Sequence, residues 1–431
     1  MSLQRAYAYR WAVFAVLALA YFLVFFHRLS MSVVAGDVAS DFETTGQSLG
    51  ILGSIYFYCY AVMQFPAGLL SDSLGPRKTV AIFLPLSAVG SLLFGLSPSL
   101  EWAIVARFCI GLGVSTVFIS TMKILSQWYR HHEFAMMVGI LNAIGGLGVL
   151  AGTGLLGWLS SQFGWRISFE IICGITFGVC VLAWILVRDN PQSRGWPSII
   201  AQDHDDTPGR AKTIPLGTAV RTVLRCRHFW PVVLWFFCTC GIFYGFGGLW
   251  GGPYLMHTYG LSRTEVGGIL SSFAWGMIVG SPAMGWISES ILHSRKKILI
   301  ISSAALAGLF AFLNLHVADL THGGLVAWFF LFGIFGTGII TVGFTTAKEL
   351  FDVRMAGTAV GMLNLFPFLG GAVMMPHLGR VLDSFGKSEA GAYPIAGYQR
   401  VLLILLLVAA TAMVGSLLMK ETYRPTTTRG L

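Results

Sequence analysis

Apolar segments long enough to cross a bilayer recur along the whole chain, and this recurrence limits the possible folds more than any other feature. A spanning helix needs about 20 mostly apolar residues. Twelve segments approach or exceed that length: 11–35, 47–70, 79–96, 102–127, 135–158, 167–187, 229–254, 265–287, 298–315, 324–347, 357–379 and 401–419. Composition agrees, because only 11% of the 431 residues are charged where soluble domains carry about 25%. A water-soluble multidomain enzyme is excluded, and so is a disordered or collagenous chain. The first run exceeds 20 residues, carries Arg28 and lacks a small-residue cleavage pattern, so it reads as a span and not as a signal peptide. Seven cysteines occur without CxxC or Cys/His spacing, so no disulfide framework, metal site or cofactor is expected.

Basic residues set the orientation. With the N-terminus inside, the inner loops and tails hold 19 Lys and Arg and the outer loops hold five, namely Arg166, Arg263, Arg380, Lys387 and Arg400. That excess is the one the positive-inside rule requires. It accounts for the net charge of +9 without any nucleic-acid partner. Both termini are expected in the cytoplasm, with the chain in a bacterial inner membrane. The longest interior hydrophilic stretch, 188–228, follows six spans and contains Asp203, Asp205, Asp206 and Pro208-Gly209. The expected organisation is therefore a six-helix bundle over 1–187, a cytoplasmic linker over 188–228 and a second six-helix bundle over 229–431.

The two halves repeat each other. Residues 66–78 read PAGLLSDSLGPRK and residues 282–296 read PAMGWISESILHSRK. Gly68 matches Gly285, Asp72 matches Glu289, and Arg77-Lys78 match Arg295-Lys296. VGILN at 138–142 matches VGMLN at 360–364, so Asn142 corresponds to Asn364. Paired six-span halves place a substrate site at the interface between them. The matched acids and bases lie at helix ends on the inner face. There they can pair with each other, with a facing helix terminus or with anionic lipid, and so latch that face closed.

GLLSDSLGPRK resembles the signature between spans 2 and 3 of the major facilitator superfamily, and Arg107 with Gly111 and Gly113 resembles that superfamily's span 4 element. VRDNPQSRGWP (187–197) and AGTAVGMLNLFPFLGG (356–371) are similar to its organophosphate:phosphate antiporters and anion:cation symporters. The resemblance implies an all-α fold of twelve transmembrane helices in two pseudo-repeated bundles, working as a monomer.

Four basic residues lie outside the loops: Arg28, Arg107, Lys123 and Lys348. A charge at the bilayer centre costs about 2.5–3.5 kcal/mol on insertion scales, so each needs a reason. No acid sits clearly at mid-depth. A cavity with fixed cations and no fixed anion lacks its counter-ion, which an anionic substrate supplies best. Arg28 precedes Asp37 by nine residues and so lies about 13 Å from the outer end of its helix, too deep to reach water easily. Lys123 in STMK and Lys348 in TTAK occupy corresponding places and can either face a shared cavity or snorkel to the cytoplasm. Arg107 has a packing role or a proton-linked one, and Asn142 and Asn364 line the cavity or bond between helices.

The resemblance places Arg28 near the antiporters' phosphate-holding arginine and Lys123 where they carry another base. Tyr60 matches their pattern and can donate a phenolic hydrogen bond. Tyr244 stands where they have a second arginine, and Gln64 where they have a lysine, which weakens a sugar-phosphate assignment. His27 takes the place of an acidic residue found in many of the symporters. Histidine titrates near pH 6.5 and is the candidate for a co-transported proton. The expected function is alternating-access transport of a small carboxylate, sugar acid or phosphate-type anion, by proton symport or exchange. The alternatives are a transporter-like membrane sensor and a drug or metabolite exporter. No HExxH, GxSxG or paired aspartates occur in the spans, so an enzyme is not expected.

Overall fold

The computed structural model describes residues 2–199, 216–389 and 391–423. The middle of the expected linker, 200–215, lies outside the described residues, as do Arg424 and Arg429 of the charge count.

The described chain is helical. Eleven helices are long and apolar enough to cross a membrane. The fifth of these, Met136–Leu186, has 51 residues, too many for one crossing. It breaks at Gly164, whose φ of 79° and ψ of 160° leave the helical region. Glycine suits that corner because a Cβ is strained at positive φ. The break yields spans 5 and 6 and brings the number of spans to twelve.

Helices outrun the apolar segments at several ends. Span 1 runs from Ser2–Leu29 through Ser30, whose dihedrals stay helical, into Met31–Asp41. Continuing the helix past the hydrocarbon keeps every amide bonded until water is reached. The other spans are Gly46–Ser73 (2), Pro76–Gly95 (3), Leu100–Trp128 (4), Phe229–Tyr259 (7), Arg263–Ile291 (8), Arg295–Leu315 (9), His322–Glu349 (10), Met355–Asp383 (11) and Ile395–Leu418 (12). Span 3 packs on spans 4 and 6 in the first half, and span 9 packs on span 12 in the second.

Three helix pairs join the halves, span 2 with span 11, span 5 with span 8 and span 1 with span 7. Small residues allow the approach. A Cβ at Gly50 would lie 2.4 Å from Pro376 Cα, and one at Gly267 would lie 2.8 Å from Thr153 O. The contact is tight toward the end of the molecule that carries the odd-numbered loops. There the Asp383 carboxylate accepts the amides of Gly46 (2.7 Å) and Gln47 (2.8 Å), Lys387 donates to Thr44 O (2.6 Å), and Asp37 pairs with Arg263. Toward the end that carries residue 2 and residue 423 the same helices part. A Cβ at Gly68, Gly139, Gly285 or Gly361 would meet nothing within 4 Å. The halves are closed at one face and splayed at the other.

Candidate functional site

Arg28 lies where spans 1, 2, 7 and 11 converge, at the floor of the splayed side. Span 1 continues past Arg28, with Ser30 N still donating to Phe26 O (3.0 Å). Ser30 Oγ bonds back to His27 O (3.2 Å) and Ser32 Oγ to Leu29 O (2.9 Å). These bonds tie down the backbone just past Arg28, whose side chain lies between Tyr60 of one half and Phe368 of the other. Arg28 is 7% exposed. Its guanidinium carbon sits 4.4 Å from the ring centre of Phe25, 4.7 Å from Tyr60 and 5.1 Å from Phe368. Tyr21, Tyr56, Tyr60 and Tyr244 are its electrostatic neighbours. Among the described residues no carboxylate pairs with it.

The cage closes across the halves. Tyr60 and Phe368 rings are 4.4 Å apart, Phe57 and Tyr244 4.5 Å, and Tyr244 stacks on Phe368 at 6.2 Å. Ring faces stabilise a bare guanidinium only partly. The Tyr56 and Tyr244 oxygens accept hydrogen bonds from it, its Nε has no partner, and these neutral groups leave its charge for an oxyanion to balance. Beyond the cage, Gly252 of span 7 lies against the Ser32 backbone of span 1 and Trp250 Nε1 donates to Met375 O (2.9 Å). That packing closes the route to the other face. On the splayed side, one turn inward, Asn364 Nδ2 donates to Gln64 Oε1 (2.7 Å) across the halves. Its counterpart Asn142 instead accepts from Tyr21 within the first half (3.3 Å).

His27 does not share this environment. Its ring is fully buried against Phe26 and Phe169, and neither ring nitrogen has a hydrogen-bond partner. The neighbouring cation is Arg107, which donates to His27 O (3.3 Å) and lies 5.3 Å from the Tyr56 ring centre. Arg107 is also fully buried, with Nε and one terminal nitrogen unpartnered. The first half thus encloses a His27–Arg107 pair behind the cage.

The other sequence candidates gather at the splayed face. Lys123 Nζ donates to Asp72 Oδ1 (2.6 Å) and Ser71 O (2.8 Å), joining a candidate cavity base to a candidate latch acid. Lys348 is exposed and, among the described residues, makes no ion pair. Arg77 and Lys78 do not reach Asp72. Arg77 N donates to Asp189 Oδ1 (2.7 Å) and its guanidinium to Trp184 O (2.9 Å), while Lys78 is exposed. In the second half Arg295 bonds Glu289 (3.0 Å) and Glu349 (3.4 Å). The amides of Arg295 (3.0 Å) and Lys296 (3.3 Å) donate to Glu421.

Asp189 and Glu421 are functional candidates that the motif comparison passes over. Each stands three residues past the last helix of its half, and each accepts the first amides of span 3 or span 9. The matched Arg188-Asp189 and Lys420-Glu421 pairs carry the signal. Burial opposes ionisation of Glu421, but hydrogen bonds from Ser294, Tyr423, Arg295 and Lys296 outweigh it and hold the carboxyl below its ordinary value.

Comparisons with known proteins agree with this architecture. The sequence profile of the Major Facilitator Superfamily matches residues 17–252 and 246–430. The chain is 25% identical to the membrane sensor protein UhpC of Salmonella typhimurium, over 85% of this chain and 84% of that one. It is 24% identical to a probable hexose phosphate transport protein of Chlamydia pneumoniae, over 89% and 88%, and 23% identical to the hexuronate transporter of Bacillus subtilis, over 89% and 90%. A bacterial homologue of the human lysosomal transporter Spinster shares the fold with a TM-score of 0.76 at 17% identity, over 95% of this chain and 98% of that one. On its twelve helices, its repeated halves and a profile match that runs nearly end to end, the chain belongs to the Major Facilitator Superfamily.

Proposed function

We propose that this chain is a secondary active transporter that carries a small organic anion by alternating access. The observation that carries the reading is Arg28, a buried cation at the junction of the halves, caged by rings and paired with no carboxylate. An incoming oxyanion supplies the missing counter-charge, and the fork of Arg28 grips it in two places. Tyr60 and Tyr244 donate phenolic hydrogen bonds, and Gln64 and Asn364 line the entry. A single fork with neutral donors favours a carboxylate, such as a sugar acid, over a phosphate dianion. The hexuronate transporter among the relatives supports that preference, while the hexose phosphate transport protein keeps a phosphate ester in the test.

Residues 1–187 and 229–431 act as the two rocking bodies, joined by 188–228. The splayed face opens to the cytoplasm, where both termini lie, in a bacterial inner membrane, and the working unit is a monomer. Inner closure brings Lys123 and Lys348 toward the cavity, with Asp72, Arg77, Lys78, Glu289, Arg295 and Lys296 as the latch. The buried His27–Arg107 pair carries the coupling proton, taken up by the imidazole when the anion charge on Arg28 offsets the local positive field. Uptake of labelled hexuronate into proteoliposomes tests the reading. Binding without transport would favour the second reading, a ligand sensor, which the likeness to UhpC supports.

A further inference from the structure

The outer wall of the second half carries a groove that substrate transport does not use. Trp230, Leu234, Phe237, Phe366 and Leu418 line it, Arg227 stands at one end, and its volume is about 570 Å³. It opens on the surface that faces hydrocarbon, between the start of span 7, the inner part of span 11 and the end of span 12. Trp230 and Leu418 are both exposed there. Phe237 lies eight residues into the helix that starts at Phe229, so the groove runs about 12 Å along it into the apolar layer. Its charge is confined to the mouth.

A short helix, Leu216–Arg225, flanks that mouth. Ala219 and Val223 are buried against the protein. Arg221 and Arg225, one turn apart, edge a shallow hollow with Thr218 and Thr222. Trp230 Nε1 donates to Leu224 O (3.0 Å) and pins the helix end beside the groove. Among the described residues no acid pairs with Arg221, Arg225 or Arg227. An apolar slot in the lipid-facing wall, headed by uncompensated cations at interface depth, is complementary to an acyl chain that ends in an anionic headgroup. We propose that this groove holds one anionic phospholipid, with a chain along Leu234 and Phe237 and its phosphate on Arg225 and Arg227. The binding is independent of the Arg28 site and ties the linker to the leaflet beside it.

The test is native mass spectrometry of the purified full-length protein, incubated with equal amounts of phosphatidylglycerol and phosphatidylcholine of the same acyl chains. At about fivefold per interfacial arginine, the parent should retain phosphatidylglycerol at least tenfold better. The Arg225→Gln/Arg227→Gln variant should fall to near parity while keeping its weak phosphatidylcholine adduct. Arg227→Lys should keep most of the preference. Leu234→Trp, which fills the groove and leaves the arginines in place, should lose the tightly held lipid. Equal retention of the two lipids by the parent, or an undiminished preference in the Gln variant, overturns the proposal. So does a lipid-free dimer that Leu234→Trp dissociates, because the groove then belongs to a second copy of the chain.

Discussion

Asp383, at the closed-face end of span 11, accepts the backbone amide of Gly46 at 2.7 Å and that of Gln47 at 2.8 Å, and so caps span 2 from the opposite half. A carboxylate at a helix N-terminus satisfies orphan amides and the positive end of the helix dipole together. Because cap and helix belong to different halves, the bond exists only while this face is closed. Asp383 also accepts from Tyr393 Oη (2.6 Å), which fixes its rotamer.

Asp383→Asn should therefore loosen the closed face. Loss of the charge at the helix N-terminus costs up to about 1 kcal/mol, or roughly a fivefold change in population. Spin labels at Phe163 and His322, on closed-face loops of opposite halves, should show a longer distance rising by that factor. An unchanged distance distribution would mean that other contacts hold the face shut.

The Lys123–Asp72 pair at the splayed face lies within the first half, joining span 4 to span 2, and it is exposed, with side-chain exposures of 36% and 74%. Exposed pairs contribute about 0–1 kcal/mol. Asp72→Asn should leave the melting temperature within a few degrees while raising labelling of a cysteine placed near Lys123 from the inner side. A large loss of stability with no change in labelling would make the pair a packing element and remove it from the latch.

Glu421 offers a pH test. Its carboxyl is held below the ordinary value in the folded chain, so its contribution is full above the unfolded value of about 4.3 and fades as pH falls through the lowered folded value. Glu421→Gln should lower stability by roughly 1–2 kcal/mol near neutrality, and the gap from the parent should narrow below about pH 4. Melting curves between pH 7 and 3.5 check this, and parallel curves would contradict it.

His27→Gln keeps a polar side chain at this position and removes the titratable imidazole. The variant should exchange substrate across the membrane yet fail to accumulate it on an inward proton gradient. Accumulation equal to the parent's would leave His27 as a buried packing residue beside Arg107.

The twelve spans, the repeated halves and the unpaired mid-membrane arginine were legible because each leaves a local mark: a run of apolar residues, a shared motif, a charge without a partner. Contacts between helices leave no such mark. Residues 27 and 28 are adjacent in the chain, yet a helix turns about 100° per residue. Arg28 therefore enters the cage while the His27 ring packs on Phe169 beside Arg107. Lys123 and Asp72 lie on different spans, and nothing in either segment announces their pairing. The caps supplied by Asp189 and Glu421 were hidden for another reason. Their signal is a matched position past each half's last helix, which becomes visible only once both helix ends are known.

The central claim is that Arg28 is the anchor for the anion, and ligand-induced thermal stabilisation of purified protein tests it most directly. The parent should be stabilised by a hexuronate, and more weakly by a hexose phosphate. Arg28→Ala should fold, insert and show no ligand-dependent shift. Arg28→Lys should show a much reduced shift, because an ammonium lacks the two-pronged fork. Stabilisation of Arg28→Ala by the hexuronate equal to that of the parent would contradict the account.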